Sequence, residues 1–133
     1  MALKRVVLDT NAYSRLAGGD ESVLEILGEA EIVYLSVFVL GELYAGFKGG
    51  QRERKNRELL RAFMAAPPVK LLFATDATAE IFAGVKDSLK RRGKPLPMND
   101  VWIAAHALEA AATLITFDAH FEQVEGLQRW PRP

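Results

Sequence analysis

The chain of 133 residues carries 17 Lys and Arg against 17 Asp and Glu, a formal net charge of zero, and contains no Cys. That length suits a single domain over residues 1–133, and zero Cys excludes disulfides, zinc fingers, iron–sulfur centres and thiol catalysis. The longest uncharged run, Ile32 to Gly41, is ten residues, against the roughly 20 of a membrane-spanning helix. Lys4 and Arg5 precede only three apolar residues and an Asp, so no signal peptide is read and a cytoplasmic location without a membrane partner is expected.

Arg5-Val6-Val7-Leu8-Asp9 reads as a short buried parallel strand closed by a carboxylate. Asp20-Glu21-Ser22 opens a helix that puts Val23, Ile26 and Leu27 on one face. Ile32 to Leu35 is the second strand, and Ser36 caps a helix from Val37 to Phe47. Gly49-Gly50 interrupts the chain before a charged helix, Gln51 to Ala66, which Pro67-Pro68 stops. Its apolar residues Leu59, Leu60, Phe63 and Met64 serve either a core or a partner groove. Val69 to Ala74 is the third strand, and Thr75 or Asp76 caps a helix ending near Gly93. Pro95 and Pro97 stiffen a connector to an Ala-rich helix that starts at Asn99 or Asp100 and runs to Ala112. Thr113 to Phe117 is the fourth strand, ending at Asp118, and Leu127 to Trp130 adds a short edge strand. The alternation predicts an α/β fold, a mostly parallel central sheet with helices on both faces. Ligands of such sheets sit beyond the carboxyl ends of the strands.

Four carboxylates fall where that rule directs attention. Asp9 and Asp118 end the first and fourth strands. Glu42 is the one charge between Val37 and Phe47, and Asp100 opens a helix continuing Val101-Trp102-Ile103-Ala104-Ala105. Asp100 shares a helical face with Ile103, Ala104 and Ala107, the face expected against the sheet. Each acid has a plainer role open to it. Asp9 can start a turn or cap a helix at Asn11, Asp100 and Asp118 can be N-caps, and Glu42 can reach solvent.

The fold nevertheless lets all four converge. Two carboxylates about 5 Å apart repel by roughly 3 kcal/mol at an effective dielectric near 20, so such a group takes up protons or a cation. Oxygen donors without His or Cys select Mg2+ or Mn2+. The matching chemistry is metal-assisted hydrolysis of a phosphodiester. Thr10, Asn11 and Thr116 are placed to orient the carboxylates, and helix capping competes as a role for Asn11. Basic residues cluster at Lys48, Arg52, Arg54, Lys55, Arg57 and Arg61, and again at Lys86, Lys90, Arg91, Arg92 and Lys94. They form solvated helix faces or hold further phosphates.

Val7-Leu8-Asp9-Thr10-Asn11, Leu40-Gly41-Glu42-Leu43, Asn99 to Ala105 and Thr116-Phe117-Asp118-Ala119-His120-Phe121 together resemble the motifs of PIN-domain ribonucleases, and most of all the VapC toxins of VapBC toxin–antitoxin modules. The resemblance implies a PIN-like α/β/α sandwich and an endoribonuclease toxin using Mg2+ or Mn2+. It implies RNA as substrate, a homodimer, and silencing by a VapB-like antitoxin whose C-terminal segment crosses the active-site groove. Carried over by residue, Asp9, Glu42, Asp100 and Asp118 are the acidic quartet, Asp9 and Asp100 the direct metal ligands, and Thr116 the supporting hydroxyl.

Other signals are weaker. Gly41 and Gly46 miss the spacing of a phosphate-binding loop and are read as allowing close helix packing. His106 lies about 240° around the helix from Asp100, facing away. His120 reads as a loop or packing residue and Trp102 as core. A receiver-type phosphoacceptor module and an inactive PIN-fold interaction domain are the alternative functions. The third strand lacks the Asp a receiver needs, and the intact quartet speaks against the second.

Overall fold

The computed structural model describes residues 3–131; residues 1, 2, 132 and 133 of the expected domain lie outside the described residues. The strands are β1 (Arg5–Leu8), β2 (Ile32–Ser36), β3 (Val69–Leu72), β4 (Thr113–Ile115) and β5 (Arg129–Trp130). They form one sheet in the order β3-β2-β1-β4-β5, and every pairing is parallel. The helices are α1 (Thr10–Ala17), α2 (Glu21–Glu29), α3 (Val37–Phe47), α4 (Glu53–Met64), α5 (Asp76–Arg91) and α6 (Met98–Glu109). Crossovers run outward from β1 to β3 and then reverse to reach β4. Right-handed connections therefore place α5 and α6 on the face opposite the earlier helices. The expected α/β sandwich is observed.

Local chemistry explains where the helices begin. Asp9, Asp20 and Ser36 each accept a hydrogen bond from a free amide of the following turn, at 2.8 Å for Ala12 N, 2.9 Å for Ser22 N and 3.1 Å for Phe38 N. At α5, Thr78 Oγ1 accepts from Thr75 N at 3.0 Å and donates to Glu109 Oε1 at 2.6 Å, which ties α5 to α6. The central strand β1 is buried on both sides through Val6, Val7 and Leu8. Leu35, Leu114 and Ile115 pack beside it, and Ile103, Ala104 and Ala107 of α6 are buried in the same core.

Several expected boundaries shift. Helix α1 follows β1 at once, whereas the hydrophobic pattern starts a helix only at Asp20. Helix α4 covers Glu53–Met64 rather than Gln51–Ala66, because Gly49-Gly50 and the turn after them delay its start. Strand β3 ends at Leu72, leaving Phe73 66% exposed. Helix α6 starts at Met98, with Pro97 at the N-cap position, and ends at Glu109 rather than Ala112, where Ala111 takes φ 52° to turn the chain into β4. Strand β4 ends at Ile115, although Thr116 N still donates to Trp130 O at 2.9 Å. Strand β5 is reduced from Leu127–Trp130 to Arg129–Trp130.

Side-chain roles divide in the same way. Leu60 of α4 is buried in the core. Leu59 is 47% exposed and borders a shallow cleft against Tyr13 and Ala17 of α1. Trp102 stacks between Phe38 and Phe82 at ring separations of 5.0 and 3.9 Å, the packing role expected for it. The packing role expected for Gly41 and Gly46 is not found: a Cβ built on either meets no atom within 4 Å. Among the described residues no helix is long and apolar enough to cross a membrane.

Leu35 is fully buried on β2 between β1 and β3. Leu35→Ala is expected to lower unfolding free energy by about 3 kcal/mol, measured by urea denaturation with an unchanged m-value.

Candidate active site

The sheet order reverses direction at the β1–β4 pair, the point where parallel sheets open a crevice at their carboxyl edge. Asp9 leaves β1 at that point and Thr116 leaves β4 beside it. Asp9 is 5% exposed, and both of its carboxylate oxygens are engaged. Oδ1 accepts from Ala12 N at 2.8 Å and Oδ2 accepts from Thr116 Oγ1 at 2.5 Å. Thr116 Oγ1 also accepts from Asp118 N at 3.1 Å. The amide occupies the hydroxyl's acceptor side, so its proton is committed to Asp9. Asp9 is thus both the cap of α1 and a site carboxylate, and the two readings of it are compatible.

The other acids arrive from separate elements. Glu42, midway along α3, accepts from Thr10 Oγ1 at 2.6 Å. Thr10 is the first residue of α1, so this bond locks the acid to the strand that carries Asp9. Asp100 is the third residue of α6 and not its N-cap. Asp118 does act as a cap, accepting from His120 N at 3.1 Å at the start of the 3-10 turn Ala119–Gln123. Asn11 is exposed and bonds none of the four acids among the described residues.

Burial pushes the Asp9 carboxyl above the ordinary carboxylate range. The bonds from Thr116 and Ala12 oppose that rise, and the charges of Asp100 and Asp118 add to it. Asp100 is also raised, first by burial, with nearby His120 opposing and the charges of Glu42 and Asp118 adding. These mutual effects bring Asp9, Asp100, Asp118 and Glu42 into one electrostatic neighbourhood.

His120 departs from its expected loop or packing role. Its Nε2 lies 2.9 Å from Asp100 Oδ2 and its Nδ1 lies 2.9 Å from Asp118 Oδ1. The Nε2 contact lacks the alignment of a hydrogen bond, so that buried nitrogen has no aligned partner. Sequence spacing missed this residue because the turn after Asp118 folds the ring back over α6. The tripeptide Asp118-Ala119-His120 just beyond a strand end was the available signal. His106 behaves as expected. It is buried away from these acids, its Nδ1 sits 2.7 Å from Ser36 Oγ, and burial lowers its pKa.

Among the described residues no three His, Asp or Glu side chains form a ready-made metal cage. The donor set is nonetheless one of hard oxygens, with two carboxyls that burial and like charge make costly to ionise. That chemistry fits a divalent Mg2+ or Mn2+ ion.

Together, fold and site define a parallel α/β domain with an acidic crevice at its topological switch. The PIN domain profile matches residues 6–127, and the chain belongs to the PIN-domain family. Ribonuclease VapC1 of Haemophilus influenzae (strain R2866) is 28% identical over 109 residues, 81% of this chain and 79% of that relative. The structure of VapBC-1 from nontypeable Haemophilus influenzae matches with TM-score 0.77 and 27% identity over 94% of this chain and 96% of that one. VapBC2 from Rickettsia felis, bound to a promoter DNA fragment, matches with TM-score 0.83 over 94% of this chain and 96% of that one; at 22% identity it bears on the fold. A receiver module is set aside, since receivers use the strand order 2-1-3-4-5 and this sheet does not.

A carboxyl raised in the fold binds its proton more tightly there than in the unfolded chain. Stability therefore falls as pH rises from the ordinary carboxylate value through the raised one, and stays lower above it. Asp100→Asn in chelator at pH 8 is expected to raise Tm by about 3 °C. The gain should disappear as pH is lowered through the carboxylate range, as followed by differential scanning calorimetry.

Proposed function

We propose that this protein is the endoribonuclease toxin of a toxin–antitoxin pair, hydrolysing RNA phosphodiester bonds at the crevice formed by Asp9, Glu42, Asp100 and Asp118. The observation that carries this reading is the buried Asp9 carboxylate, fixed by Thr116 and the α1 amide, with Asp100 and Asp118 near it and Glu42 near Asp100. Relatives named as ribonucleases and solved VapBC complexes support it.

Asp9 and Asp100 are the residues that would hold Mg2+ or Mn2+. When bound, the ion would neutralise phosphodiester charge and lower the pKa of an attacking water. The chain's own contribution is orientation. Thr116 keeps Asp9 from rotating and Thr10 holds Glu42 beside it, while the capped turn keeps Asp118 at the rim. Glu42 and Asp118 are the more exposed acids, suited to accepting a proton from water or orienting it there. Asn11, exposed beside Thr10, is the remaining supporting residue of this reading, placed to orient a water at the crevice.

The proposed partners follow from the same reading. A VapB-like antitoxin would cover the crevice with its C-terminal segment. The exposed Leu59 beside Tyr13 and Ala17 offers it an apolar hold. A homodimer is the proposed assembly.

Purified protein is expected to cleave RNA with Mg2+ or Mn2+, to stop in chelator, and to leave 5′-phosphate ends. Asp100→Asn should lose at least about 10²-fold in rate, more than loss of a supporting group costs. Cyclic phosphate ends, or equal activity in Asp100→Asn, would overturn the acidic site as the catalyst.

A further inference from the structure

A cleft of about 250 Å³ adjoins the acidic crevice on the β4–β5 side, lined by Thr116, Phe117, Asp118, Glu122, Arg129 and Pro131. It shares Thr116 and Asp118 with the proposed catalytic site, so a nucleotide flanking the cleaved bond reaches it directly. The volume falls below the 300–1,000 Å³ typical of drug-sized ligands, which suits one flat ring system.

Its walls are polar in a complementary way. The Arg129 side chain is 19% exposed, and its Nη1 lies 4.0 Å from Glu122 Oε1. At that separation the pair is a loose ion contact, leaving guanidinium donors and carboxylate acceptors free for a ligand. Phe117 supplies the apolar wall and is held in place. The Arg15 guanidinium lies 3.8 Å from its ring centroid, and Trp130 meets it edge-on at 6.1 Å. No part of the proposed hydrolysis uses Phe117, Glu122 or Arg129.

We propose that this cleft is a nucleobase subsite that selects an unpaired guanine next to the cleaved bond. Guanine presents two adjacent donors, N1–H and the N2 amino group, which a single carboxylate accepts together, and Glu122 supplies it. Its O6 and N7 form an acceptor edge suited to an arginine fork, which Arg129 supplies. Adenine and cytosine offer one donor group each to the carboxylate, and uracil offers one N–H. The side of the Phe117 ring that Arg15 does not cover provides the apolar surface against which an unpaired base rests. The inference rests on the ribonuclease reading above, and its test separates the two.

In the first arm, wild type, Glu122→Gln and Arg129→Gln each cleave a randomised single-stranded RNA pool with Mg2+, and the new ends are sequenced. Wild type is expected to show guanine at one fixed position beside the cut. Either variant should reduce that preference about tenfold, the discrimination of a bidentate base contact, while cleavage of guanine-free RNA changes less than about threefold. A preference for another base, no preference, or one unchanged in both variants would overturn the subsite. In the second arm, metal-free wild type is titrated with 5′-GMP, 5′-AMP, 5′-CMP and 5′-UMP and followed by amide NMR. The signals of Phe117, Glu122 and Arg129 should shift most with 5′-GMP, and equal shifts with all four would overturn the subsite. If wild type cleaves no RNA while 5′-GMP still shifts those signals selectively, the ribonuclease reading fails and the guanine site stands.

Discussion

Thr116 and Asp9 are 107 residues apart, and a single hydroxyl joins them across the β1–β4 seam. Everything at the crevice depends on that seam. Parallel pairing of Leu8 with Ile115 brings the ends of the two strands level, and Asp9 N donates to Ile115 O at 3.2 Å just beyond it. The next side chains on each strand then face one another at the sheet's carboxyl edge. A shift of one residue would send Thr116 to the opposite face and leave a buried carboxylate with one partner fewer. The register that satisfies the core is therefore also the register that orders the site.

The acids are placed on rigid supports for a reason that electrostatics makes clear. Like charges drawn together repel, and flexible carriers would let them separate. Asp9 is held by its own helix cap, Glu42 by Thr10, and Asp118 by the turn it caps. The fold therefore maintains a crevice that destabilises it, a conflict between local stability and chemistry typical of functional sites. The His120 ring is set among these acids, its two nitrogens each 2.9 Å from an oxygen of Asp100 and of Asp118.

Zero net charge bears on the proposed RNA substrate through the distribution of the charges. Not all of the clustered cations are free for phosphate. Arg91 pairs with Asp87 at 3.0 Å, and Arg92 contacts Ser88, the Gln123 carbonyl and Glu125, bracing the segment after the 3-10 turn. Arg57 lies over the Tyr44 ring at 4.4 Å. The second basic stretch is thus partly structural, which for the proposed substrate favours local shape near the crevice over bulk attraction.

Much of this was legible from sequence, because it rests on local pattern. Apolar runs ending in Asp9 and Asp118, the Ser36 cap and the lone Glu42 in an uncharged helix are readable from neighbours alone, and they were enough for the α/β class and the four acids. Helix α1 was not, since Thr10 to Ala17 is only eight residues long and its start is fixed by an Asp9 that looks like the end of a strand. Strand β4 was read two residues too long, because Thr116 and Phe117 are good strand residues that tertiary contacts divert to the site and to Arg15. The place of His120 is not legible in the sequence, because ring direction depends on the turn and on Asp100 of α6, 20 residues earlier. The sequence by itself determined which residues carry charge and which segments form strands. Only the tertiary structure decided the sheet order, the seam that joins Asp9 to Thr116, and the meeting of Thr10 with Glu42. Those depend on contacts between segments far apart in the chain, which no local pattern of side chains encodes.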